Sequence, residues 1–180
     1  SSGVNLNNIP KLRGVRECFV ARPGHVYWDG DYDQAELCAL AQLCLDKFGY
    51  SNLARIIKEG LDVHSIFGVE LVHLFGKSDL FQPGLSKEQQ YAEFKRSGKR
   101  GWAYNWRQMA KAFNFGLPGG LGCDTFLEWA RVTYGVTMPR ELFGPAKKLC
   151  LSFVPEVQDL FDWVSEKCRQ SPTGKFTFVQ

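Results

Sequence analysis

The sequence predicts a mainly α-helical fold with short β-strands at both ends. Three observations carry this. Apolar residues recur at three- and four-residue spacing through most of the chain, Ser, Asp, Gly and Pro stand where helices start and stop, and two short β-rich runs lie near the termini. The 180 residues suffice for about one domain. With 44% hydrophobic and 14% aromatic content they can bury a real core, which excludes intrinsic disorder.

The elements follow in order. Val26-Tyr27-Trp28 reads as a strand after the turn at Pro23-Gly24. From Asp33 the pattern turns helical, with Leu37, Leu40, Ala41, Cys44 and Leu45 on one stripe. Leu53–Lys58 adds a short helix closed by Gly60. Asp62 is placed to cap a helix that runs to about Phe75 and stops at Gly76, and Ser86 to cap one from Lys87 to about Arg96. A helix from about Tyr104 to Leu117 ends at Pro118-Gly119-Gly120. Helices follow within 123–134, 139–151 and 155–169, and Lys175–Val179 reads as the start of a strand.

No run of 18 apolar residues occurs, so no membrane partner is expected. The first residues lack a signal peptide's basic and apolar regions, which favours the cytoplasm. Six cysteines without a C-x-x-C pair or zinc spacing to His25, His64 or His73 read as free thiols in a reducing compartment. His73 reads as structural and His25 as a turn residue facing water.

Charge is unevenly spread. Residues 95–111 hold Lys95, Arg96, Lys99, Arg100, Arg107 and Lys111 with no acid. The chain's net charge is +3, so the remainder balances at −3, three less six. Trp102, Tyr104 and Trp106 lie among these cations. Either a phosphate-bearing partner selects such a segment, or it is a solvated basic turn whose aromatics face the core.

Two constellations carry chemistry. In Asp31-Tyr32-Asp33-Gln34-Ala35-Glu36-Leu37 an acid stands just before a helix start, where a hard cation such as magnesium finds oxygen ligands. The alternative is an N-cap at Asp33 and a surface acid at Asp31. In the helix from Tyr104, Arg107, Lys111, Asn114 and Phe115 share one face. Two cations one turn apart can hold a polyphosphate, and an aromatic ring one turn on can carry a sugar or base. The alternative is solvated cations and a core Phe115.

Together these motifs resemble the family A DNA polymerases, the family of bacterial DNA polymerase I. The first palm motif, D-Y-S-Q-I-E-L, stands here as residues 31–37. The fingers motif, R-x-x-x-K-x-x-N-F-G, stands as Arg107, Lys111, Asn114, Phe115 and Gly116. Asn5-Leu6-Asn7-Asn8-Ile9-Pro10 is similar to N-L-Q-N-I-P, and Asp62-Val63-His64 to D-[IV]-H. The four motifs stand in family order over residues 5 to 120.

The resemblance implies an α+β fragment of a right-hand polymerase: a partial palm over 1–50, helical fingers over 51–170, and a return strand from 171–180. It implies transfer of a nucleotide from a dNTP to a primer 3′-hydroxyl on a DNA template, with two magnesium ions as cofactor. Asp31 would ligate both metals, helped by the Tyr32 carbonyl. Arg107, Lys111 and His64 would bind the triphosphate, with Gln34 near it, and Lys111 would protonate the leaving pyrophosphate. Phe115 would pack against the sugar and base, and Glu36 would exclude a ribose 2′-hydroxyl. Asn5, Asn7, Asn8, Asn114, Gly119 and Gly120 would lie along the primer–template.

The sequence departs from the family in places. Gly119 stands where a tyrosine usually stacks on the templating position, and Pro118-Gly119-Gly120 suggests the phage-type branch, in a bacterial or host cytoplasm. Cys38 replaces an arginine and Asn7 a glutamine. The H-D-E motif, which supplies the second metal-binding aspartate, does not occur, and Ser1-Ser2 stands as the remnant of T-G-R-x-S-S. A fragment of palm and fingers, inactive alone and prone to self-association through exposed palm-facing surface, is the expectation. Two alternatives remain. One is a non-catalytic domain that binds nucleic acid or nucleotide. The other is a single-subunit RNA polymerase fragment, against which Glu36 and Phe115 argue.

Overall fold

The computed structural model describes residues 14–28, 30, 32 and 34–171. The chain divides into two compact units, 1–34 and 35–180.

Within the first unit, the described residues form one 3₁₀ turn, Arg16–Cys18, and otherwise irregular backbone. The expected strand at Val26-Tyr27-Trp28 is absent. Val26 and Trp28 are 89% and 90% exposed, and no described residue is in a strand that could pair with them through the backbone hydrogen bonds a strand needs. The segment is a turn held by His25, whose backbone N–H donates to Arg22 O, and by the Tyr27 hydroxyl, which donates to Val20 O. The expected strand at 175–179 lies outside the described residues. Mainly α with strands at both ends is thus corrected to all-α among the described residues.

The second unit holds eight α-helices among its described residues: α1 (Ala35–Phe48), α2 (Asn52–Lys58), α3 (Val63–Leu74), α4 (Lys87–Ser97), α5 (Tyr104–Gly116), α6 (Cys123–Tyr134), α7 (Arg140–Phe153) and α8 (Glu156–Gln170). Local chemistry sets their ends. The Asp62 carboxylate accepts from His64 N at 3.1 Å and starts α3. Ser86 and Gln89 form a reciprocal capping box on α4. Gly135 closes α6 in the left-handed region at φ 67°.

The core forms around α3 and α5, which pack on each other along their length, with α4, α6 and α7 around them. Phe113 of α5 is fully buried. Its ring centroid lies 4.5 Å from that of Phe126, 5.6 Å from Phe67 and 6.1 Å from Phe143. A second core joins Val69, Val72, Phe81, Phe94 and Ala103, with Trp102 and Trp106 against it. It fixes α4 and the start of α5 to the outer face of α3. His73 bridges Ser78 and Gln90 with its two ring nitrogens and stacks on Phe81, which gives it the expected structural role. Among the described residues, no helix is long and apolar enough to cross a membrane.

Candidate functional site

The α3–α5 contact builds the candidate site. α5 is amphipathic. Met109, Ala112, Phe113 and Gly116 turn inward, while Arg107, Lys111 and Phe115 sit half-buried at its edge. Phe126 and Trp129 of α6 approach so closely that a Cβ on Gly116 would lie 2.8 Å from the Trp129 ring, so the motif's glycine is a packing requirement.

Asp62 is the hub. Its Oδ1 caps α3. Its Oδ2 accepts from the Ser65 hydroxyl at 2.7 Å and from Arg107 Nη2 and Nε at 3.0 and 3.3 Å. Its backbone N–H donates to the Tyr91 hydroxyl at 2.9 Å. Burial raises the Asp62 pKa, but the Ser65 hydroxyl and the Arg107 guanidinium outweigh it and hold the carboxylate ionised. Arg107 needs room to lie this way: a Cβ on Gly98 would meet Arg107 Cδ at 2.7 Å. A guanidinium has five N–H donors. Asp62 occupies two, and the others meet no acceptor among the described residues.

His64 is 4% exposed. Burial drives its pKa down to about 4, the Arg107 and Lys111 charges add to that, and Asp62 opposes it. The ring is therefore neutral at pH 7. Its Nδ1 faces Asn114 Nδ2 at 2.9 Å, and Cys150 Sγ lies 3.9 Å from Asn114 Oδ1. Read as one chain of donors, the thiol donates to the amide oxygen and the amide nitrogen donates to Nδ1, which leaves the imidazole proton on Nε2. The ring packs on Phe115, centroids 5.3 Å apart and tilted 50°. The result is a neutral N–H donor beside two cations and an aromatic face, a set suited to a polyphosphate joined to a flat, apolar group.

His64, Arg107, Lys111, Asn114 and Phe115 are thus brought together. Asn114, expected along the primer–template, faces inward at 6% exposure and orients His64. Gly119 and Gly120 lie exposed in the turn after α5, Gly120 at φ 74°. Glu36 is exposed in the first turn of α1, and its charge adds to burial in raising the Tyr134 pKa. In the other unit Tyr32 is exposed. Gln34 adopts a left-handed φ of 56°, uncommon for a residue with a side chain, and its Oε1 has no hydrogen-bond partner among the described residues. Asp31, Asn5, Asn7 and Asn8 lie outside the described residues. Among those described, no three His, Cys, Asp or Glu side chains converge as metal ligands. The Asp62–Arg107 pair and the Cys150–Asn114 contact are not legible in the sequence. They join residues 45 and 36 positions apart, with no local signal.

No family model and no solved structure matches the chain. Curated relatives do. DNA polymerase I of Chloroflexus aurantiacus is 39% identical over 79 residues, 39% of this chain and 8% of that protein. The thermostable DNA polymerase I of Thermus filiformis is 41% identical over 69 residues, 36% of this chain and 8% of that one. DNA polymerase I of Rhizobium leguminosarum is 30% identical over 125 residues, 67% of this chain and 10% of that one. The chain spans about a tenth of the length of these relatives. The matches support a relationship to the family A polymerases.

Proposed function

We propose that this chain is the nucleotide-binding portion of a DNA-templated DNA polymerase, with a partial palm over 1–50 and fingers over 51–170. The observation that carries this is the convergence of His64, Arg107, Lys111 and Phe115 at the α3–α5 edge. The relationship to DNA polymerase I adds to it. Arg107, kept in place by Asp62, and Lys111 hold the triphosphate of an incoming dNTP. Neutral His64 donates Nε2–H to a phosphate oxygen without adding charge. Phe115 carries the sugar and base. Lys111 delivers a proton to the departing pyrophosphate. Glu36 blocks a ribose 2′-hydroxyl, Gln34 lies near the triphosphate, and Asn5, Asn7, Asn8, Gly119 and Gly120 line the primer–template. The Pro118-Gly119-Gly120 ending supports the phage-type branch.

Two magnesium ions would supply activation of the primer hydroxyl and stabilisation of the leaving group. Asp31 and the Tyr32 carbonyl are the proposed ligands. The described residues complete no ligand set.

Binding of a fluorescent dATP analogue to the 180-residue chain tests the reading. Lys111→Ala removes a charge-assisted contact of about 1.5–3 kcal/mol, so affinity should fall about tenfold or more. Equal affinity of parent and variant would sink the proposal. No His-Asp pair occurs in the sequence, so the chain by itself is expected not to extend a primer. Extension would show that a second acid serves in place of H-D-E. In a polymerase carrying this segment, Phe115→Tyr is expected to admit dideoxynucleotides and Glu36→Ala ribonucleotides.

A further inference from the structure

The basic segment is split by the fold. From Phe94 onward buried and exposed residues alternate in runs of one to three, with Gly101 exposed among them. Phe94, Ser97, Gly98, Trp102 and Ala103 face inward, and Lys95–Arg96, Lys99–Arg100 and Tyr104–Asn105 face outward. The inward members are firmly held. Phe94 and Ala103 are fully buried, Trp102 meets Phe81 and Phe94 edge-on, and Gly101 N donates to Ser97 O at 2.7 Å. The outward cations are therefore displayed on the last turn of α4, which holds Lys95 and Arg96, and on the turn that follows, which holds Lys99 and Arg100.

They are set apart by their density: four exposed cations fall within six residues. Arg55, Lys87, Arg107, Arg131, Arg140 and Arg169 each meet a carboxylate. Among the described residues Arg96, Lys99 and Arg100 meet none, and Lys95 lies over the Tyr91 ring at 5.6 Å. Four residues past Arg100, at the start of α5, Tyr104 is 45% exposed. Unneutralised cations in a row with a presented aromatic ring match the chemistry of a strand whose phosphates are charged and whose bases are unstacked.

We propose that the outward pairs Lys95–Arg96, Lys99–Arg100 and Tyr104–Asn105 form a landing surface for single-stranded nucleic acid, with the cations on successive phosphates and Tyr104 stacked on a base. The surface uses other residues than the Arg107–Lys111 cluster, which Gly98 abuts, and does not depend on the nucleotide reading.

The probe is a fluorescein-labelled 20-nucleotide oligothymidylate, titrated with the 180-residue chain by anisotropy over a range of salt. Four contacts at about 0.7 each predict a log–log salt slope near −3, and Lys99→Ser/Arg100→Ser should halve it and weaken low-salt binding about tenfold or more. Lys99→Arg/Arg100→Lys should retain binding, which separates charge from fold. Tyr104→Ala should weaken the oligothymidylate about fivefold or more and leave an abasic strand of equal length unaffected. Binding of the fluorescent dATP analogue should be unchanged in Lys99→Ser/Arg100→Ser, so failure here and failure of the nucleotide reading can be told apart. The proposal is overturned by an unchanged slope in Lys99→Ser/Arg100→Ser, by equal loss on abasic and thymidylate strands in Tyr104→Ala, or by a duplex that binds the parent as tightly as the single strand.

Discussion

Two buried polar clusters hold this helical unit together, and only one is placed to do chemistry. At the α1–α2–α8 end, Glu156 is fully buried. Its Oε1 accepts from the Ser51 hydroxyl and Leu53 N, both at 2.8 Å, and the Cys44 thiol lies 3.9 Å from its carbonyl. At the α3–α5 edge, Asp62 and Asn114 hold Arg107 and His64 in the same way, and Cys150 backs the amide. The difference is at the rim. Around Glu156 the rim carries neutral caps and the Tyr50–Asp159 hydrogen bond, which raises the tyrosine to about 12. Around Asp62 it carries two cations, a neutralised imidazole and an aromatic face. A buried carboxylate alone therefore marks an anchor. A buried carboxylate that orients partly exposed donors marks a candidate site.

The largest expected effect falls on the anchor. Glu156→Ala strands two buried donors and leaves a void, so urea unfolding should show a loss of about 3–5 kcal/mol. The folded fraction should bind the dATP analogue unchanged. Weakened binding would erase the contrast between the clusters.

Next comes acid. His64 is neutral in the fold, with a pKa lowered from 6.5 to about 4. Its contribution is complete above pH 6.5 and is lost as pH falls from there towards 4, at most about 3 kcal/mol. The lowered Asp62 pKa adds a further loss below its ordinary value of 3.8. Unfolding free energies measured from pH 7 to pH 4 should slope downward, and His64→Gln should flatten that slope. A slope unchanged in the variant would place the titration elsewhere.

Asp62→Asn should cost about 2 kcal/mol, because Oδ2 loses its charge while an N-cap acceptor survives. Unlike Glu156→Ala, it should also weaken dATP-analogue binding severalfold, because Arg107 loses its hold. The smallest effect is chemical. Burial raises Cys44 to about 11 and Cys150 to about 12, so neither should be alkylated in the native state at pH 8. Exposed Cys18 and Cys38 should react at once. Labelling of Cys150 ahead of Cys44 under mild urea would show that the α3–α5 edge opens first.

Much of the helical frame was legible. Asp62, Ser86, Gly76 and Pro118-Gly119-Gly120 mark helix ends within a residue or two, because capping is a local exchange of hydrogen bonds. The strand at Val26-Tyr27-Trp28 was misread for the opposite reason. β-branched and aromatic residues suit a sheet, but a strand exists only where another chain segment pairs with it. The shared face of Arg107, Lys111, Asn114 and Phe115 was legible from helical period, but the inward turn of Asn114 was not.

The sequence by itself determined the helices, the motif order and the concentration of positive charge in 95–111, since all three depend on residues close in the chain. Only the tertiary structure decided which of those cations pair inward with Asp62 and which stand outward. It also decided that His64 is neutral. Both outcomes depend on desolvation and on partners tens of residues away, and a carboxylate or a buried ring acts on whatever packing brings within a few ångströms.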